Sequence, residues 1–335
     1  MAIIGIERLI YGVEDLEESA RFFGDFGLRP ADRSPDRAEF GLADESRVIL
    51  YPLGHDALPK GGSIAGQGVR EVVWGVDSAD ALEALVRRLR SVVDVVRDGE
   101  FARFVTPFGI PMALRLWQRR PVVCAPDPSN APGHVSRLNR PRKWRLSALP
   151  RAITHVVFSV PDYDEVYRFM IDMLDFRLTD KQRGMGNYLR ADGTINHHNI
   201  LLLNADAPLP GLDGKVRFHH ANFTLEDIDE IMISVNTMVR KGWEPSSQGL
   251  GRHRVDSALF YYFPCPAGGE AEFGADSDYV DDNWVPREWT NPLFAYSHFV
   301  HNLPDFLMHE TDWKFHYITD IRPGKIGWIR DEAGD

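Results

Sequence analysis

The chain has 335 residues, 44% hydrophobic and 26% charged, which is the composition of an ordinary globular protein with room for two cores. A formal net charge of −11 argues against a nucleic-acid backbone or an anionic membrane surface as partner. No apolar run approaches the ~20 residues of a membrane span, and the two cysteines, Cys124 and Cys265, suit a reducing cytoplasm and exclude a disulfide framework or zinc ribbon.

The opening stretch, MAIIGIERLIYGV, lacks a basic leader and passes straight into strand-like alternation, so no signal peptide is expected. GIERLIYGVEDLEESARFFGDFGL (5–28) predicts a strand, an acidic turn and a helix. VREVVWGVDSADALEALVRRL (69–89) repeats the order, and PFGIPMALRL (107–116) ends this half with a strand. VVCAPDPSNAPGHVSRLNRPRKWRLSALP follows, a linker expected to lie ordered over the surface. The same sequence of elements then returns. AITHVVFSVPDYDEVYRFMIDMLDF (152–176) carries Val166, Phe169, Met170, Met173 and Leu174 on one helical stripe, with Asp162 as N-cap. FHHANFTLEDIDEIMISVNTM (218–238) and PAGGEAEFGA (266–275) complete the second copy. The tail PREWTNPLFAYSHFVHNLPDFLMHETDWKFHYI is dense in aromatics. It is expected to cover a pocket mouth, to form a subunit contact, or simply to pack on the surface.

The duplication predicts an α+β fold of two modules, each a curved sheet with helices outside. Boundaries fall at 1–120, 121–148 (linker), 149–290 and 291–335. It also makes one half a control for the other. Successive strand residues point to opposite faces, so His219 should join the apolar row of Ala221, Phe223 and Leu225, and His220 the polar row of Asn222 and Thr224. His155 and Glu272 likewise oppose the apolar rows of their strands. A lone strand histidine is seldom a ligand, but the first half has Arg8, Glu71 and Ala113 where the second has His155, His220 and Glu272. Core requirements should be common to both copies, so residues special to one are the candidates for chemistry. Two imidazoles and one carboxylate on one side of an ion, with other positions open, is the donor set of non-haem Fe(II) oxygenases.

THVVFSV with His155, HHNILLL with His198, FHHANF with His220, GRHRV with His253, and FYYFPCPAGGEAEFG with Tyr262 and Glu272 together resemble the type I extradiol ring-cleaving dioxygenases of the vicinal oxygen chelate superfamily. The resemblance spans most of the chain. It implies that each module is a pair of βαβββ units around a cleft and that the first module is metal-free. It also implies Fe(II) held by His155, His220 and Glu272, with Mn(II) accepting the same ligands. His198 is implied to face dioxygen, and His253 and Tyr262 to flank the substrate oxygens. Bland readings remain for two of these: His253 as a loop histidine, and Tyr262 as a core tyrosine, with Val105 or a neighbour as its counterpart in the first half. His197 is expected to point away from His198, as a structural or solvated residue. Pro-Cys-Pro before Ala267 departs from the family's usual Asp-Pro.

The implied reaction inserts both atoms of O₂ into a catechol-type dihydroxy- or trihydroxyarene, giving a ring-opened hydroxymuconic semialdehyde-type product. The expected partners are that substrate, O₂ and further copies of the chain in a homo-oligomer. A glyoxalase-like isomerase or lyase, or a metal-free binding protein of the bleomycin-resistance type, is the alternative.

Overall fold

The computed structural model describes residues 3–209, 211–308 and 315–319. Its first half runs β1 (Ile3–Val13), α1 (Leu16–Asp25), β2 (Arg29–Ser34), β3 (Arg37–Gly41), β4 (Arg47–Pro52), β5 (Gly68–Val76), α2 (Ala79–Leu89), β6 (Val96–Asp98), β7 (Phe101–Val105) and β8 (Pro111–Leu116). The second runs β9 (Ile153–Val160), α3 (Tyr163–Leu174), β10 (Arg177–Gln182), β11 (Gly186–Arg190), β12 (Ile200–Asn204), β13 (Arg217–Thr224), α4 (Ile228–Arg240), β14 (Gly251–Arg252), β15 (Leu259–Pro264) and β16 (Glu270–Ala275). Both halves are therefore doubled βαβββ units. Five short elements follow: β17 (Arg287–Trp289), α5 (Pro292–Tyr296), β18 (Phe299–Val300), a 3₁₀ turn (Asp305–Leu307) and β19 (Phe315–Tyr317). No helix among the described residues is long and apolar enough to cross a membrane.

Local sequence starts the four long helices in one way. Asp15, Ser78, Asp162 and Asp227 each accept a hydrogen bond from the backbone N–H three residues on, and three of those later residues are glutamates (Glu18, Glu165, Glu230). This side-chain acceptor satisfies one of the N–H groups a helix start leaves without a partner.

The first sheet has the order β2-β3-β4-β1-β5-β8-β7-β6, and the second β18-β14-β15-β16-β13-β9-β12-β11-β10-β17-β19. The duplication holds in register. Val73 of β5 faces both Arg8 and Ala113, as Asn222 of β13 faces both His155 and Glu272. The same ladders place Arg103, and not Val105, opposite Ala113 where Tyr262 stands opposite Glu272. One apolar core, running from Ile3 to Ala275, is shared by both halves. Phe26 stacks on Phe273 (3.8 Å, 13°), and Trp74 meets Phe176 edge-on (5.0 Å).

Residues 121–148 have no helix or long strand, only a bridge between Ala131 and His134. They are tied to the second half by charge: Arg145 bonds Glu226 (3.1 Å) and Asp227 (3.0 Å), Lys143 bonds Glu226 (2.7 Å), and Arg142 bonds Asp229 (2.7 Å).

Candidate active site

Five adjacent strands, β15-β16-β13-β9-β12, each bring one candidate to the same face of the second sheet. Tyr262, Glu272, His220 and His155 lie on the first four, and His198 lies just before β12. His155 Nε2 is 3.3 Å from His220 Nε2 and 3.1 Å from Glu272 Oε2, and His220 Nε2 is 3.5 Å from the same oxygen. All three residues are buried, at 6%, 6% and 1% exposure. Such separations are close to the ~3 Å edge of an octahedron with ~2.1 Å bonds, the geometry a small divalent ion takes among hard ligands. Glu272 Oε2 has no hydrogen-bond partner although it is buried. A buried anionic oxygen without a donor is costly, and a cation between the three donors would remove that cost. Burial alone would raise the Glu272 carboxyl, but the neighbouring His155, His253 and His220 imidazoles hold it well below the usual range, as a carboxylate. Burial, first, pushes His220 well below an ordinary imidazole, toward the neutral form that a ligand needs.

The structure corrects the strand-face expectation for His219. The ladder between β9 and β13 shifts so that Phe218 and His220 face the consecutive residues Phe158 and Val157, leaving His219 as the extra residue of a bulge. Phe218 takes the core position, and His219 lines the cavity with its Nδ1 2.8 Å from His220 Nδ1. If Nε2 of His220 is the ligand atom, its Nδ1–H donates to His219, the kind of support that orients metal-binding imidazoles. The bulge is itself duplicated, with Arg70 as the extra residue between Glu71 and Val69.

His253 and Tyr262 flank Glu272. His253 Nδ1 donates to the Tyr296 carbonyl (2.7 Å), its Nε2 is 3.3 Å from Tyr262 Oη and 3.8 Å from Glu272 Oε1, and its ring stacks on Phe260 (3.9 Å). Burial lowers the His253 pKa, but Glu272, Asp256 and the Tyr296 carbonyl outweigh it and raise the group above its ordinary value. Tyr262 is pushed well up, first by burial and then by Glu272, and stays protonated. On the opposite side His198 stacks on His155 (4.1 Å, 28°); burial, followed by His155 and His197, depresses it strongly. His197 is buried, not solvated, and its Nε2 lies 2.7 Å from Asp180 Oδ2.

These residues line a cavity of about 530 Å³. Its far wall is apolar (Met185, Leu201, Leu203, Leu209, Val255), and the C-terminal segment roofs it with Pro292, Leu293, Tyr296, Pro304 and Phe306. The tail beyond residue 319 lies outside the described residues. No Lys or Arg lines the cavity among the described residues. The sequence reading missed Tyr188, Asp256, Gln248 and Tyr296. Asp256 stands three residues after His253, but a single acidic residue in a loop carried no pattern to find it by. In the first half the matching face carries no such donor set: Glu71 pairs with Arg103, Arg8 lies over Phe101, and Ile10, Ile49, Val73 and Ala113 pack together.

A family model described as the Glyoxalase/Bleomycin resistance protein/Dioxygenase superfamily matches residues 152–268. The chain is 32% identical over 280 residues to an iron-dependent extradiol dioxygenase of Rhodococcus jostii (strain RHA1), covering 76% of this chain and 83% of that protein. It is 29% identical to metapyrocatechase 2 of Cupriavidus necator, over 93% of each. Among solved structures, the Mn(II)-bound glyoxalase of Novosphingobium aromaticivorans shares the fold, with a TM-score of 0.69 at 21% identity, covering 93% of this chain and 96% of that one. Motif order, paired βαβββ modules and a relative matched over most of its length agree: the chain belongs to the extradiol ring-cleaving dioxygenases of the vicinal oxygen chelate superfamily.

Proposed function

We propose that this extradiol dioxygenase holds one Fe(II) through His155, His220 and Glu272, and that His198, His253 and Tyr262 act on the substrate and on oxygen without binding the metal. The activity is the insertion of both atoms of O₂ into a catechol-type ring. The carrying observation is the convergence of three buried donor atoms within 3.5 Å of one another, with one carboxylate oxygen otherwise unpartnered. Iron is favoured over manganese because the 32% identical relative is described as iron-dependent, and because this donor set is that of non-haem Fe(II) oxygenases. When bound, the ion would supply a Lewis-acidic centre for the catechol oxygens and O₂.

The protein's own groups then have distinct positions. Tyr262 Oη and His253 Nε2, 3.3 Å apart beside Glu272, form one polar edge where they hydrogen-bond a catechol oxygen and can take or return its proton. His198, stacked on His155, forms the other edge, where a ring nitrogen takes up a proton and, once protonated, steadies negative charge that develops on oxygen. The apolar wall and roof exclude water, and with no Lys or Arg lining the cavity among the described residues they favour a ring whose substituent is uncharged. The division into a metal-free module (1–120), linker (121–148), catalytic module (149–290) and C-terminal segment (291–335) belongs to this proposal. So do a cytoplasmic location, supported by the free thiols of Cys124 and Cys265, and a homo-oligomer, supported by the exposure of Trp144 (92%) and Leu146 (90%). A glyoxalase-type reaction drawing ligands from both modules is disfavoured, because Arg8, Glu71 and Ala113 offer no matching donor set.

Metal analysis with O₂ uptake on catechol tests the proposal. About one iron per chain and O₂-dependent formation of a yellow product are expected. Stoichiometric manganese with full activity would overturn the iron assignment, and a fully active metal-free protein would overturn the whole.

A further inference from the structure

A buried polar chain leads from the C-terminal segment to the cavity. Arg287 on β17 donates to Asp180 from Nε (2.9 Å) and Nη2 (2.5 Å), and its backbone N–H adds a third bond (3.1 Å). Asp180 is 0% exposed. Its Oδ2 accepts from His197 Nε2 at 2.7 Å, and His197 Nδ1 lies 3.2 Å from His198 Nδ1. We infer that His197 is a positioning residue: held by Asp180 and Arg287, it fixes the ring orientation and tautomer of His198 so that a bare Nε2 faces the cavity. This rests on the reading of His198 given above.

A carboxylate can only accept, so His197 Nε2 carries the hydrogen. The Nδ1 of a neutral His197 is then bare and accepts in turn. A second proton on His197 would set a buried imidazolium and the half-buried Arg287 guanidinium against one carboxylate, and unpaired buried charge is costly. His198 Nδ1 is therefore the donor. Asp256 Oδ2, 3.9 Å from that same nitrogen, favours a proton there too; it is itself held by the Ser277 hydroxyl at 3.2 Å. His155 stacked on one face and Tyr188 edge-on at 5.0 Å fix the ring plane. The nitrogen left to the cavity is Nε2.

The test is a multiple-bond ¹H–¹⁵N correlation spectrum of the ¹⁵N-histidine-labelled, metal-free protein, which distinguishes the two tautomers. His198 is expected as Nδ1–H. In Asp180→Asn the amide oxygen keeps two of the three Arg287 bonds, from its backbone N–H and Nε, when it takes the Oδ1 place, which turns the NH₂ toward His197; both rings should then invert and His198 should appear as Nε2–H. Loaded with Fe(II), that variant should lose about 10²–10⁴-fold in kcat, the range for a misassigned proton on a catalytic imidazole, with catechol KM and metal content near the parent's. His197→Asn, whose side-chain oxygen can still accept from His198, should keep more turnover than His197→Ala. His198 found as Nε2–H in the unsubstituted protein would overturn the inference, and that spectrum needs no variant to fold. An Asp180→Asn protein with unchanged tautomer and kcat would do the same. Full turnover in His198→Asn would instead remove the role of His198 while leaving its tautomer as measured, so the two failures are distinguishable.

Discussion

Phe26 sits just past the end of α1 in the first half, yet its ring stacks on Phe273 and meets Phe223 edge-on at 5.4 Å. Phe273 follows Glu272 on β16 and points to the opposite face. Replacing Phe26 by alanine therefore opens a void behind the strand that carries the carboxylate. Phe26 is 0% exposed; losing a fully buried phenyl ring costs about 2–3 kcal/mol in transfer, and the cavity left behind brings the total to about 3–5 kcal/mol. Phe40→Ala is the control, since Phe40 meets Phe23 (6.0 Å) within the first half. Both variants should lose stability in urea unfolding followed by tryptophan fluorescence. Only Phe26→Ala should also weaken metal retention, by about 10-fold in a chelator competition, the scale of disturbing a ligand's support. A stability loss below about 1 kcal/mol, or a metal affinity equal to the parent's, would refute the coupling through the shared core.

His155→Ala, His220→Ala and Glu272→Ala should each lose iron and O₂ uptake; a variant that keeps stoichiometric iron removes that residue from the ligand set. His219→Ala should keep iron but bind it roughly 10–100-fold more weakly, and an unchanged affinity in a chelator titration would reduce His219 to a lining residue. Tyr262→Phe should retain iron and raise the catechol KM about 5–10-fold, the loss of one hydrogen bond worth ~1–1.5 kcal/mol; steady-state kinetics decide. Burial tends to raise the Glu226 carboxyl, but Arg145 and Lys143 hold it down to about 2, below its ordinary 4.5. Its contribution to stability is thus present above pH ~4.5 and is lost as pH falls toward 2. Glu226→Gln should flatten the decline of the urea midpoint across that window, and parallel profiles would contradict the assignment.

The repeat was legible because strand-then-helix periodicity survives in both halves even where identities do not. The ladders show Arg8, Glu71 and Ala113 at the ligand-equivalent positions that alignment of the repeats gave them. His219 was misread because alternation assumes an unbroken strand. A bulge changes the face of one residue without changing its neighbours' composition. The counterpart of Tyr262 could be placed only at Val105 or a neighbour for a similar reason: the register between β7 and β8 lies in hydrogen bonds that apolar pattern does not record. Asp256 and Tyr296 reach the cavity, and Asp180 reaches His197, only through tertiary packing, from segments whose local sequence reads as an ordinary loop, tail and strand.

The roof of the cavity is also made after the three donors it covers. All three donors have been synthesised once Glu272 is in place, whereas Arg287, which holds Asp180, and Tyr296, whose carbonyl holds His253, come later. At ~5–20 residues per second the interval between residues 272 and 296 is roughly 1–5 s. An ion captured within it would meet oxygen in an uncovered cleft with no substrate beside it. The roof therefore bears on how long bound Fe(II) survives in air, and a chain cut after residue 286 should lose ferrous iron to autoxidation faster than the whole one does.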